Sequence, residues 1–196
     1  MSLPPPAPRA KLHHRSINFQ GFEREDGLWD IEAELIDTKT YSYRNRDRGE
    51  VKAGEPVHRM QLRLTLDLGM RIVAAHAGMD DTPFNLCQGA RAAMRRLEGL
   101  QIKRGWLRGA RERIARRESC THLMELLAPM ATAAYQTMHR ALEQRAQSRP
   151  QRERPRIIDQ CYSLASDSPI VKLEWPAFYT GEDESKSSKS PSVSKD

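Results

Sequence analysis

The chain has 196 residues, of which 38% are hydrophobic and 30% are charged, and it carries a formal net charge of +6. This length suits a single domain with a proper core, and no apolar run approaches the roughly 18–20 residues that a membrane span needs. The arginine-rich stretches lack the interleaved aromatic residues of a nucleic-acid surface, so the positive charge alone does not favour a nucleic-acid partner.

The two ends of the chain are of low complexity. Residues 1–12 are proline-rich and lack the apolar segment of a secretion signal. Residues 181–196 are charged and serine-rich. We expect both ends to be disordered, on either side of a single α+β domain at residues 13–180. The three widely spaced cysteines are an odd number, which favours a reducing cytoplasm over a disulfide framework.

The first half of the domain has the period of two that is typical of β-strands. "SINFQGFER" and "LWDIEAELIDT" alternate apolar and polar residues, and "HRMQLRLTLDLGMRIVAAHAGM" indicates a hairpin that turns near Gly69. The sequence therefore predicts an antiparallel sheet of about four strands. The clearest core face combines residues of the second and third strands: Trp29, Ile31, Ala33, Leu35, Met60, Leu62, Leu64 and Leu66.

The second half has the longer period of helices. Pro83 suits a first helical position; the cap candidates before it are Asp80, Asp81 and Thr82. The apolar stripe that follows consists of Leu86, Ala90, Ala93, Met94 and Leu97. A short basic helix at "LRGARERIARR" and a long helix from Cys120 complete three helices on one sheet face, while "IDQCYSLASDSPIVKLEWPAF" predicts a further strand pair.

Thiols, imidazoles and carboxylates fall near predicted strand ends and helix starts. The metal candidates are Cys87, Cys120, His122 and His58, a set of donors that suits zinc or an iron–sulfur cluster, although no CxxC or HExxH spacing supports it. The acid–base candidates are His58, His122, Asp80 and Asp81. Ordinary packing is an open alternative for each of them, because cysteine is often buried as a small hydrophobe. The remaining histidines are assigned to the leader or to structural and exposed positions: His13, His14, His76 and His139.

Several segments together resemble a bacterial family catalogued as domain of unknown function 2889. They include "FEREDGLWDIEAELIDTKTY", "GEPVHRMQLRLTLD", "MDDTPFNLC", "LEGLQIKRGW", "SCTHLMELLAPMATAAYQ" and "CYSLASDSPIVKLEWP", and they cover about residues 15–178. The resemblance implies no activity by name. It implies that five of the candidate residues stand at positions of the family's motifs: His58, Cys87, Cys120, His122 and Cys161. Members often lie beside genes for the breakdown of aromatic and acyl-CoA compounds, which favours a small-molecule enzyme.

The order of a hairpin and two helix-start cysteines is also similar to the NifU-type iron–sulfur scaffold fold. That resemblance implies Cys87 and Cys120 as ligands, with His58 near the position of an acidic ligand. Pro56, however, stands roughly where that fold has its first cysteine. A mononuclear zinc or a metal-free pocket therefore fits this chain better than a cluster.

Three functions follow as hypotheses. The first is a small catabolic enzyme, of lyase, isomerase or hydrolase type, that acts by acid–base chemistry on an aromatic (lignin-type) or acyl compound, with or without a metal. The second is a zinc or iron–sulfur carrier, and the third is a non-catalytic interaction module. No GxGxxG or P-loop is present, so we expect no nucleotide cofactor. Formation of a homo-oligomer is left open.

Overall fold

The computed structural model describes residues 3–147, 154, 155 and 157–181. The chain divides into two compact units, residues 1–146 and 147–196, which we describe separately. The charged tail predicted at residues 181–196 lies, apart from residue 181, outside the described residues. In the described residues of the leader, from Leu3 to Leu12, no regular secondary structure is formed.

A four-stranded antiparallel sheet is the framework of the first unit. Its strands are β1 (His13–Glu23), β2 (Trp29–Lys39), β5 (Pro56–Leu66) and β6 (Ile72–Asp81), and they lie side by side in the order β1-β2-β5-β6. Between β2 and β5 the chain forms a separate small hairpin of β3 (Tyr43–Asn45) and β4 (Gly49–Val51), which adds to the four predicted strands. The prediction of about four antiparallel strands in an α+β fold is confirmed.

One face of the sheet carries the core, as the alternation predicted. The eight apolar residues predicted for the core face of β2 and β5 are all at most 6% exposed, and most are fully buried. Burying that many large side chains is the main source of stability, at roughly 1.5–3 kcal/mol for each fully buried leucine or isoleucine. The opposite face is polar, with Glu32 and Glu34 paired to Arg63 and Arg59.

The first helical segment differs from the prediction in type and in start. It is a 3-10 helix at Asn85–Leu97 whose N-cap is Phe84, and no side chain caps it. Asp80 and Asp81 are not caps, because the strand β6 pairs with β5 as far as Asp81 and Arg59, after a register shift that leaves Asp80 without a paired residue. Ala93, Met94 and Leu97 are buried as expected, but Leu86 is 89% exposed, because the segment contacts the sheet with its later turns.

Two α-helices follow: α1 (Trp106–Arg113) and the long α2 (Thr121–Gln147), joined through a 3-10 turn at Arg116–Glu118. Helix α2 continues through Pro129. The side chains of α2 that enter the core are Leu123, Leu126, Leu127, Met130, Ala134 and Met138. None of the helices in the described part of the chain combines the length and apolar character that a membrane crossing requires.

In the second unit the described residues form short helical turns. These are a 3-10 turn at Tyr162–Leu164, the helix α3 (Pro169–Glu174) and a 3-10 turn at Pro176–Phe178. The side chain of Ser168 caps α3 by accepting a hydrogen bond from the Val171 amide. The strand pair predicted here is therefore not found among the described residues. The Ser168 cap and the proline at the next position favour a helix start.

Gly21 lets helix α2 approach the edge strand β1 closely. A Cβ atom at this position would lie 1.7 Å from the Oγ1 atom of Thr137 in α2. We therefore expect Gly21→Ala to lower the free energy of unfolding by about 1–3 kcal/mol, measured by urea denaturation, because overpacking forces helix and strand apart. Gly89→Ala is the control, since nothing lies within 4 Å of a Cβ there. Equal stability of Gly21→Ala and the wild type would contradict this packing.

Candidate functional site

Asp37 is a charged residue on the core face of the sheet. It follows Trp29, Ile31, Ala33 and Leu35 on the same face of β2, near the end of the strand, and it is only 2% exposed. A buried carboxylate is costly unless hydrogen bonds and opposite charge compensate it. The groups that surround Asp37 therefore determine its charge and the chemistry available at this end of the sheet.

Four hydrogen-bond donors surround the carboxylate of Asp37. Arg15, directly opposite in β1, bonds in a fork: its Nε donates to Oδ1 and its terminal NH2 group to Oδ2, each at 2.8 Å. The Nε2 of His13 lies 2.8 Å from Oδ1, and the Nδ1 of His58 lies 3.0 Å from Oδ2. These contacts use about all the acceptor sites that one carboxylate offers.

These contacts keep Asp37 ionised. Burial by itself raises the pKa of the Asp37 carboxyl, but the hydrogen bonds from Arg15, His13 and His58 outweigh it and hold that pKa well below 3.8. The hydrogen bonds to Asp37 in turn raise the pKa of the Arg15 guanidinium. An ionised carboxylate only accepts hydrogen bonds, so the ring nitrogen of His58 that faces it carries a proton.

His58 is therefore a neutral imidazole with an assigned tautomer. Its Nδ1–H donates to Asp37, which leaves Nε2 with a free lone pair. Burial lowers the pKa of the His58 ring, and the neighbouring His122 lowers it further, against the opposing effect of Asp37. A neutral ring with one nitrogen fixed by a carboxylate is the arrangement of a general base.

His122 brings a second imidazole to the same place from the first turn of α2. The two histidine rings have centroids 3.9 Å apart and planes inclined at 36°. The Nε2 of His122 lies 3.9 Å from Oδ2 of Asp37, and its Nδ1 lies 3.8 Å from the Cys120 thiol. Burial, together with the positive charge of Arg15, lowers the pKa of His122. Both rings are thus kept neutral at the same site.

Arg15 also holds the helix to the sheet. Its NH1 group donates to Oε2 of Glu125 in α2 at 2.7 Å, while the rest of the guanidinium holds Asp37 in β2. Glu125 and His122 are three residues apart on α2 and so share one face of the helix. One arginine therefore links β1, β2 and the helix turn that carries His122.

The structure brings some of the predicted site residues together and separates others. Among the described residues, only Asp37, His58 and His122 form a group of three or more ligand atoms within 4.8 Å of one another. Cys120 touches this group through His122. Cys87 is half-buried in the 3-10 helix and is not part of the group.

The two predicted acid–base aspartates make other contacts. Asp80 is exposed and accepts a hydrogen bond from Gln61 at 2.8 Å, and Asp81 lies 3.5 Å from Arg48. Neither belongs to the group of three ligand atoms around Asp37.

Sequence analysis missed three members of the site. His13 was assigned to the leader, but it starts β1 and contacts Asp37. Arg15 and Asp37 were not considered as candidates. One signal was present: Asp37 continues the odd-numbered core face from Trp29, and a carboxylate on a core face needs a partner.

Replacing Asp37 tests whether the carboxylate stabilises the fold. We expect Asp37→Asn to lower the free energy of unfolding by about 2–4 kcal/mol, because it removes the buried counter-charge of Arg15 and leaves that guanidinium only the exposed Glu125. Asp80→Asn is the matched control and should change stability by less than about 0.5 kcal/mol, since Asp80 is exposed. Chemical denaturation at pH 7.5 measures both. Equal effects of the two substitutions would contradict a special role for Asp37.

The lowered pKa values of the two histidines predict how stability depends on pH. In the unfolded chain each ring takes up a proton near pH 6.5, but in the folded protein it does so only at lower pH. Unfolding therefore takes up protons, and the stabilisation is complete above about pH 6.5 and is lost as the pH falls below it. Asp37 adds a similar loss below about pH 3.8.

Denaturation curves between pH 7.5 and 5 measure this dependence. We expect the wild type and His76→Gln to lose stability steadily over this range, and the double substitution His58→Gln, His122→Gln to lose much less. An unchanged slope in the double variant would show that other groups cause the loss. His76 serves as the control because it is exposed on β6, outside the cluster.

A known protein family matches most of the first unit. The family described as "Protein of unknown function (DUF2889)" matches residues 13–136, which include the strands β1 to β6 and the start of α2 with His122. The later segment around Cys161, which belongs to the resemblance in sequence, lies outside the match. No curated protein and no solved structure matches the chain, and the likeness to the NifU-type fold remains a hypothesis. The chain belongs to the DUF2889 family.

Proposed function

We propose that this protein is a small enzyme that transfers protons at the cluster of Asp37, His58 and His122, in a lyase-type reaction on an aromatic or carbonyl compound. The observation that carries the proposal is the bond from His58 Nδ1 to the buried Asp37 carboxylate, beside a second imidazole. Such a pair offers a base and a second proton-transfer group within one site.

His58 is assigned the role of general base. Its Nε2 has a free lone pair because Nδ1 is held by Asp37, and the side chain as a whole is 15% exposed. On accepting a proton, the ring becomes a cation, which the ionised Asp37 then stabilises. The same proton can return to a carbanion or an alkoxide in a later step.

His122 is assigned the role of the second proton-transfer group. Its side chain is 23% exposed and its ring lies against that of His58. Since the two rings cannot both be protonated at low cost, uptake of a proton by one favours the neutral form of the other. In a retro-aldol cleavage His58 would accept the hydroxyl proton while the carbon–carbon bond breaks. The same proton would then pass to the carbanion, either from the His58 imidazolium or by way of His122.

The carrier hypothesis has less support. It needs Cys87 and Cys120 as ligands, and neither belongs to the group of convergent donors among the described residues. The remaining expectations for the enzyme are a cytoplasmic location, a small-molecule substrate and no nucleotide cofactor. They follow from composition and motifs alone.

Hydrogen exchange on simple aryl ketones tests the proposal without knowledge of the natural substrate. A panel of methyl aryl ketones with ring hydroxyl or methoxyl groups, and their β-hydroxy derivatives, is incubated with the protein in deuterium oxide. NMR then follows loss of the α-proton signal and release of the cleaved aldehyde. We expect catalysis by the wild type and a loss of about 100-fold or more in His58→Ala, because general base catalysis contributes about that factor.

His76→Ala is the control and should retain the wild-type rate, and His122→Ala should be slowed as well. Circular dichroism confirms that each variant is folded. Equal rates in wild type and a folded His58→Ala would exclude His58 as the base. No catalysis by the wild type on any member of the panel would contradict the substrate class.

A further inference from the structure

The donors around Asp37 Oδ2 have the spacing of a metal site. His58 Nδ1 lies 3.0 Å and His122 Nε2 lies 3.9 Å from that oxygen. One ligand atom from each of the three residues falls within 4.8 Å of the others. A divalent ion with bonds of about 2.0–2.2 Å holds its ligand atoms roughly 3–3.6 Å apart, so small side-chain shifts would close the site.

The surroundings already supply the outer contacts that a metal-binding carboxylate needs. Arg15 Nε and His13 bond to Oδ1, and the second Arg15 group bonds to Oδ2 on a side chain that is 4% exposed. Ligating carboxylates are commonly fixed in this way by hydrogen bonds from a second layer of residues. The orientation of the carboxylate is therefore set whether or not an ion is bound.

The types of donor select the class of ion. Two imidazoles and one carboxylate suit zinc or iron(II), which leave open coordination positions in such sites. Calcium and magnesium prefer oxygen donors alone and are disfavoured. The thiol of Cys120 lies 3.8 Å from His122 Nδ1, so it contacts the outer side of that ring when Nε2 faces the site.

We infer that Asp37, His58 and His122 bind one divalent transition-metal ion through a carboxylate oxygen and two imidazole nitrogens, without either Cys87 or Cys120 as a ligand. The ion takes the place of the proton between His58 Nδ1 and Asp37, and that proton moves to Nε2 of the same ring. No proton need leave the protein. Arg15 offsets part of the carboxylate charge, so the ion is exchangeable and is lost to chelators.

This site goes beyond the proposed enzyme activity, and the two uses of His58 exclude each other. With the metal bound at Nδ1, Nε2 carries the proton and cannot accept another. Metal binding and proton transfer are measured separately, so failure of one proposal leaves the other standing. If both hold, added zinc inhibits the exchange reaction on aryl ketones.

Cobalt(II) titration tests the inference on the full-length protein after treatment with a chelator and its removal. Cobalt(II) in a site of low coordination number gives intense visible absorption, and a thiolate ligand would add a charge-transfer band in the near ultraviolet. We expect visible bands that saturate at one equivalent, without the thiolate band. Addition of zinc should abolish them by displacement.

Single substitutions identify the ligands. His58→Gln and His122→Gln should each weaken cobalt binding at least 10-fold, whereas His76→Gln and Cys87→Ser should bind as the wild type does. The two histidine substitutions change partly exposed side chains, and the thermal unfolding of each variant verifies the fold. Absence of one-equivalent binding by the wild type, unchanged affinity in either folded histidine variant, or a thiolate band lost in Cys120→Ser would overturn the inference.

Discussion

The ionised carboxylate of Asp37 is the constraint on which the site depends. A carboxylate whose side chain is only 4% exposed is tolerated where hydrogen-bond donors occupy its lone pairs. Here Arg15, His13 and His58 are those donors. The carboxylate in return fixes the ring orientation and the tautomer of His58. Both proposals for this end of the sheet, proton transfer and metal binding, start from that fixed imidazole.

The position of the second histidine follows from the same charge pair. Arg15 holds Asp37 from the neighbouring strand and reaches Glu125 in α2 with its remaining terminal group. Because His122 lies one turn before Glu125 on the same helix face, this contact sets the ring of His122 against that of His58. Gly21, farther along β1, allows the helix to lie close to the strand. The site is thus built by packing that the core also requires.

Much of the fold could be predicted because its strands alternate regularly. The odd-numbered face of β2 and the even-numbered face of β5 are buried as their patterns indicated, and the long apolar stripe of α2 enters the core. The predictions that failed concern residues at which local sequence signals compete with tertiary packing. Asp80 and Asp81 have good capping side chains, but pairing with β5 keeps them in a strand, and Leu86 fits a helical stripe that the 3-10 turn directs to solvent.

The members of the cluster could be predicted only in part. Sequence analysis chooses candidate residues by chemical type, whereas the strand register of the fold decides which side chains meet. Cys87 ranked high as a thiol, yet lies apart from the cluster; Asp37 ranked nowhere, yet is central to it. In the structure the first hairpin is centred on Asp26, so that the residues eleven positions before and after it, Arg15 and Asp37, stand opposite each other. A two-residue turn at Asp26 and Gly27, as the sequence alone suggests, would pair Arg15 with Thr38 instead. An arginine opposite an aspartate on a core face is a buried ion pair, and here it organises the cluster that contains His58 and His122.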